Sequence, residues 1–179
     1  MLTVDNSVLV VVDVQGKLAQ LMHDKDNLFA NLERMIKGAQ LLGIPILWTE
    51  QYPEGLGATI PAIAQLMNDG SPLVKDTFSC CGDGKFVAAL KASGRKNIML
   101  TGIETHVCVY QTARDLLADG FSVELIADAV SSRSAANKDL GIARMKDLGA
   151  GVMSTEMTLF ELLRVAKGDK FKEVLRIVK

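Results

Sequence analysis

Six short apolar runs, each followed by a stretch with helical spacing, constrain this chain more than any other feature. We read strands over residues 7–14, 45–50, 73–76, 97–103, 122–127 and 151–153, because each run is apolar and bounded by polar or turn residues. Between them, apolar residues recur three and four positions apart. The first helix spans about 28–42, with Leu28, Leu32, Met35, Ile36, Ala39 and Leu42 on one face and Gly43 as its stop. Further helices follow over about 85–92, 107–118, 135–148, 156–166 and 171–177, the one over 135–148 opening at Ser134 as a cap. Strands separated by helices call for parallel pairing, since a parallel pair needs a long crossover. Runs apolar on both faces call for helices on both sides of the sheet. The expected fold is therefore α/β, a three-layer α/β/α arrangement around a six-stranded, mostly parallel, Rossmann-like sheet. With 179 residues and no repeat or linker, the chain reads as a single domain over 1–179.

Composition narrows the function classes. Hydrophobic residues make up 49% and charged residues 23%, enough to build a core. Twenty basic against 21 acidic side chains leave a net charge of -1, so nothing electrostatic points to nucleic acid or an anionic membrane. A small-molecule substrate is the expectation. The first residues lack a signal-peptide pattern, and the run from Val8 to Val12 is cut off by Asp13 before it could span a bilayer. Three cysteines, two of them adjacent, do not make a disulfide framework, which points to a reducing cytoplasm.

In parallel α/β sheets the ligand site lies beyond the carboxyl ends of the strands. Polar residues interrupt those ends at Asp13, at Glu50 and Gln51, at Lys75 and Asp76, after the fourth strand at Cys108, and at Asp128; all are expected on one rim. Cys108 falls between a strand end and a helix start, where free N–H groups and the helix dipole favour a thiolate. Such a position lowers a thiol from about 8.5 into roughly the 3.5 to 7.5 range. Position alone leaves the alternative of an inert, buried thiol. Asp13 and Lys75 are charges at the mouths of dry strands, and each needs a partner. Placed together beside Cys108, they supply the acid/base pair of covalent acyl transfer. His23 and His106 are the only histidines; His106 suits a surface or supporting role better than that of a base. No histidine pair or cysteine clip has metal-ligand spacing, so no metal is expected. Cys80 and Cys81 read as packing beside Phe78. Acyl transfer also needs oxyanion donors: the Cys108 N–H is one, and the turn over 102–105 must supply another.

Taken in order, Val11-Val12-Asp13-Val14-Gln15, Thr49-Glu50-Gln51-Tyr52-Pro53, Val74-Lys75, Thr101 to Val109 and Asp128 to Ser134 resemble the isochorismatase-like cysteine hydrolases over nearly the whole chain. The resemblance implies Asp13 as general base, Lys75 as its partner and Cys108 as nucleophile. It further implies a cis peptide between Ile103 and Glu104, which turns the Glu104 N–H toward the oxyanion beside that of Cys108. Nicotinamide-cleaving members carry an Asp-x-His metal motif where this chain has Glu50-Gln51-Tyr52-Pro53, so zinc and nicotinamidase activity are not expected. The loop over 51–57 is instead similar to the YcaC-like and isochorismatase domain-containing subgroup. The implied protein is a homo-oligomeric, cofactor-free hydrolase of a small amide, ureide or related C–N compound, with Gln51, Tyr52 and Phe78 at the substrate. Isochorismatase-type vinyl ether hydrolysis is one alternative; a ligand-binding, redox-responsive protein is the other.

Overall fold

A computed structural model describes residues 1–67 and 70–179. The core strands β1 (Ser7–Val12) and β4 (Asn97–Ile103) are buried along their whole length. Their side chains alternate: Val8, Val10 and Val12 enter one apolar layer, Leu9 and Val11 the other. Around them lie β2 (Ile46–Gln51), β3 (Leu73–Lys75), β5 (Ser122–Ser131) and β6 (Gly151–Met153). The order is β3-β2-β1-β4-β5-β6, and every pair is parallel.

Two helical layers cover the sheet. One holds α2 (Lys25–Leu42), α8 (Thr155–Leu163) and α9 (Asp169–Val178), which bury Leu32, Met35, Leu159 and Val174. The other holds α5 (Gly84–Ser93), α6 (Tyr110–Ala118) and α7 (Ala135–Asp147), which bury Phe86, Leu90, Leu116 and Met145. Gly43 terminates α2 in the left-handed region, and Ser134 Oγ accepts the Asn137 N–H at the start of α7, as the sequence predicts. Three short helices escape the periodicity: α1 (Gly16–Gln20), α3 (Pro53–Leu56) and α4 (Pro61–Ala64). They are too brief to show a repeating apolar face.

Some boundaries differ from expectation. The first strand ends at Val12, because Asp13 turns the backbone to a φ of 50°. The fifth runs on to Ser131, past the predicted 127, after its register with β4 shifts between Leu100 and Gly102. Asp128 therefore lies within a strand rather than at its end. From β1 the chain builds outward through β2 and β3, then returns to the other side of β1 to start β4. The ends of β1 and β4 thus lie side by side where the winding reverses, the usual address of a ligand site.

Candidate active site

Asp13 stands just past β1 with 4% of its surface exposed. A carboxylate this dry requires full compensation. Its Oδ2 accepts from Lys75 Nζ at 2.6 Å, and its Oδ1 accepts from Thr49 Oγ1 at 2.7 Å. Lys75 closes β3 and is 2% exposed. Besides Asp13, its ammonium donates to Gln51 Oε1 at 3.2 Å and to the carbonyls of Thr77 and Phe78 at 3.0 and 3.1 Å. Every proton of the ammonium has an acceptor.

Cys108 lies in a π-helical turn, Thr105–Val109, that leads into α6. Both Val107 N–H and Val109 N–H donate to the Glu104 carbonyl, at 3.1 and 3.3 Å. The turn is pressed against α7 at Gly141, where an added Cβ would lie 2.9 Å from the Thr105 carbonyl oxygen. Cys108 Sγ donates to Gln51 Oε1 at 3.3 Å. Contrary to the expectation of a lowered value, the Cys108 thiol is pushed up to about 12, first by burial and then by the charge of Asp13 and hydrogen bonding to it. Lys75 pulls the other way but is already spent on Asp13. The resting group is a thiol with a carboxylate in reach, not a preformed thiolate.

Asp13, Gln51, Glu104 and Cys108 share a cavity of ≈ 210 Å³, walled on its apolar side by Leu18, Leu56, Phe78, Ile103 and Val107. A larger cleft of ≈ 320 Å³, bordered by Cys81, Leu90, Lys96 and Phe121, contains none of these polar groups. The Ile103–Glu104 peptide is cis. The Glu104 carboxylate is turned to Arg133, accepting from its Nε at 2.8 Å and its backbone N–H at 3.2 Å. His106 touches Ser132 Oγ at 2.9 Å through Nδ1 and lies 3.9 Å from Glu104, so it supports the turn rather than facing the thiol.

Not every strand-end residue joins the site. Glu50 accepts the N–H and hydroxyl of Thr59 at 2.6 and 2.8 Å, so it ties down a loop. Asp128 accepts the Thr155 N–H and hydroxyl, both at 2.8 Å, at the start of α8. Asp76 is exposed. Tyr52, expected at the substrate, does not line the cavity: it is 56% exposed and its ring lies over Gly55. Cys80 is fully buried, 3.8 Å from Thr49 Oγ1, with its N–H on Thr112 Oγ1. Burial raises its thiol to about 11.

Two supporting residues went unread in the sequence, Thr49 and Gln15. Side chains alternate along a strand, so Thr49 and Gln51 share a face of β2 while Glu50 takes the other. That alternation was the available signal for Thr49. Gln15 is fully buried and clamps Gln51, accepting its N–H at 2.7 Å and donating to its carbonyl at 3.1 Å and to the Gly57 carbonyl at 2.7 Å. Among the described residues, no group of three His, Cys, Asp or Glu is arranged as metal ligands. A thiol and a carboxylate on one small cavity, the carboxylate backed by an ammonium, can take up a proton and form a covalent bond in the same place.

The Isochorismatase domain model matches residues 7–157. The chain belongs to the isochorismatase family. Isochorismatase domain-containing protein 2A of Mus musculus is 38% identical over 98% of this chain and 84% of its own length. Among solved structures, a Caenorhabditis elegans protein described as MAR1 ribonuclease superposes with a TM-score of 0.92 and 36% identity, over 99% of this chain and 91% of that one. YcaC from Pseudomonas aeruginosa, with hexane-2,5-diol and covalent acrylamide, gives 0.91 and 26%, over 98% and 90%. The protein is an isochorismatase-family hydrolase, and its all-parallel, doubly covered sheet is the fold of these neighbours.

Proposed function

We propose that this hydrolase cleaves the C–N bond of a small amide or ureide through a thioester on Cys108. The observation that carries the reading is that Asp13 and Cys108 line one cavity while Lys75 is ion-paired to Asp13. Asp13 takes the thiol proton as sulfur attacks the carbonyl carbon, a coupled step that suits a thiol pushed to about 12. Lys75 and Thr49 hold both carboxylate oxygens and keep the base aimed. The N–H groups of Glu104 and Cys108 receive the oxyanion. As the tetrahedral adduct collapses, the C–N bond breaks and Asp13 returns the proton to the departing nitrogen. Water then attacks the thioester with Asp13 again as base, releasing the carboxylic acid and the thiol.

The acrylamide held covalently by the Pseudomonas YcaC supports a cavity that admits a small amide. The ribonuclease description of the nematode neighbour fits this chain less well. A cavity of ≈ 210 Å³ holds the volume of roughly seven waters, far below a nucleotide chain, and the net charge is -1. We further infer a homo-oligomer, which would cover exposed apolar side chains such as Leu140, Met157 and Val165; sedimentation equilibrium decides it. Three free thiols fit a reducing compartment. The central experiment is turnover of a panel of small amides and ureides by the wild type and Cys108→Ala. We expect turnover only with the thiol present; equal rates in both would remove Cys108 from the chemistry.

A further inference from the structure

Gln51 carries more information than a side chain lining a pocket usually does, because its amide has only one permissible orientation. An amide oxygen and nitrogen are hard to tell apart by shape. Here the neighbour decides: Lys75 Nζ is a pure donor, so the atom 3.2 Å from it must be the acceptor Oε1. Oε1 also takes the Cys108 thiol at 3.3 Å, and Gln15 fixes the backbone behind it through bonds at 2.7 and 3.1 Å. A flipped amide would set its NH2 against the buried ammonium, donor against donor. Its NH2 group, which has no acceptor among the described residues, is left as a donor on a partly exposed side chain that borders the cavity.

The other polar side chains of that cavity, apart from the reacting thiol, are acceptors. Asp13 is neutralised by Lys75 and Glu104 by Arg133, so the pocket holds two compensated ion pairs and no free charge. An ionic substrate would find no partner there, whereas a neutral one with a single extra acceptor would. The extra acceptor must lie near the scissile carbon. Attack requires that carbon at about 3 to 3.5 Å from sulfur, and Gln51 Oε1 is itself 3.3 Å from sulfur. The amide nitrogen shares its carbon with Oε1, so an acceptor two bonds from the reacting carbonyl carbon lies within its reach.

We propose that Gln51 is a specificity residue whose NH2 selects uncharged small amides bearing an oxygen acceptor on the carbon next to the scissile carbonyl, the 2-oxo and 2-hydroxy amides. The proposal rests on the amide-hydrolase reading above and names the substrate class of that site. The short aliphatic remainder of such a molecule packs against Leu18, Phe78 and Val107.

The test measures kcat and KM for propanamide, 2-hydroxypropanamide, 2-oxopropanamide and the anionic oxamate with the wild type, Gln51→Glu and Gln51→Met. The 2-oxo compound is intrinsically more electrophilic, so the informative quantity is its preference over propanamide in each variant. Wild type is expected to exceed both variants in that preference by about tenfold, the worth of one net hydrogen bond, and to reject oxamate. Gln51→Glu keeps an acceptor for Lys75 and the thiol, so its loss of preference cannot be blamed on a collapsed site. A preference unchanged in both variants overturns the proposal. Should the wild type turn over none of the amides, the amide-hydrolase reading falls, and selection is then read from ligand-induced thermal stabilisation. Stabilisation by 2-oxopropanamide at lower concentration than propanamide, lost in Gln51→Met, upholds it; equal stabilisation by the two overturns it.

Discussion

Replacing Lys75 with methionine isolates the interaction that most of the site depends on. The ammonium and the Asp13 carboxylate are 2.6 Å apart, with side chains 1% and 5% exposed. At an effective dielectric of about 20, two unit charges at that distance attract by about 6 kcal/mol. Their joint desolvation offsets much of this, so the pair is not worth that sum to folding. Removing one partner is different, because it leaves the other buried and uncompensated; such losses run about 3–5 kcal/mol. In Lys75→Met, Asp13 keeps the Thr49 hydroxyl but no counter-charge, and Gln51 loses the donor that orients its amide. We expect a loss near 4 kcal/mol, read by urea unfolding as a midpoint lowered by about 2 M if the slope is about 2 kcal/mol/M. Asp13→Asn with Lys75→Met should then cost less than the two single changes added together, by about 2 kcal/mol, since it strands neither charge. A Lys75→Met loss under about 1 kcal/mol, or a strictly additive double variant, would refute the account of the pair.

Further outcomes follow from the same geometry. With its thiol at about 12, Cys108 should be alkylated by iodoacetamide at a rate rising about tenfold per pH unit from pH 7 to 10, followed by peptide mass spectrometry; a plateau below pH 9 contradicts this. Cys80, Cys81 and Cys108 hold their protons more tightly when folded, at about 11, 12 and 12 against 9.0, so stability should be level below pH 9 and fall as pH climbs toward 11 to 12. Cys80→Ala should flatten that fall, and a fall equally steep without it would show the buried thiol is not responsible. Gly102, with a φ of 109°, has no room for a methyl: an added Cβ would lie 2.1 Å from the Val12 carbonyl oxygen. Calorimetry of Gly102→Ala should show a melting point lower by at least about 6 °C, from a loss above about 3 kcal/mol. Thr49→Val removes the hydroxyl on Asp13 Oδ1 and should lower kcat by about tenfold or more, in keeping with a hydrogen bond to a charged group. An unchanged kcat would leave Thr49 as packing alone.

The sheet was readable because its strands are apolar runs ended by charges, and a run such as Val8 to Val12 admits no other partner than a covered parallel neighbour. The charges themselves were ambiguous. Asp13, Glu50, Lys75 and Asp128 look alike as interruptions, yet Glu50 ties a loop and Asp128 secures α8. Telling them apart needs the face on which each side chain emerges, and at a strand end the alternation is counted over too few residues to see. The bend at Asp13 and the register shift beside Gly102 alter that count further. Cys108 shows a second kind of limit. Its position beside a helix start argued for a lowered thiol, but burial and the Asp13 charge raise it against the pull of Lys75, and their balance depends on distances that no spacing in the chain reveals. Gln15 lay hidden for the same reason: its clamp on Gln51 joins the segment after β1 to the end of β2.

The reversal of winding between β1 and β4 divides the reactants between two parts of the polypeptide. The acid, the ammonium and the orienting amide all come from the segment that builds β1 to β3, whereas the sulfur arrives with the segment that begins at β4. A nascent chain that has emerged only through Lys75 carries a base with nothing to activate. A misdocked carboxyl-terminal half carries a thiol with nothing to take its proton. On the proposed mechanism, reactivity toward a small electrophilic amide is thus a property of the joined halves, and such a reagent would act as a quality stamp, marking molecules whose assembly is finished and passing over the rest.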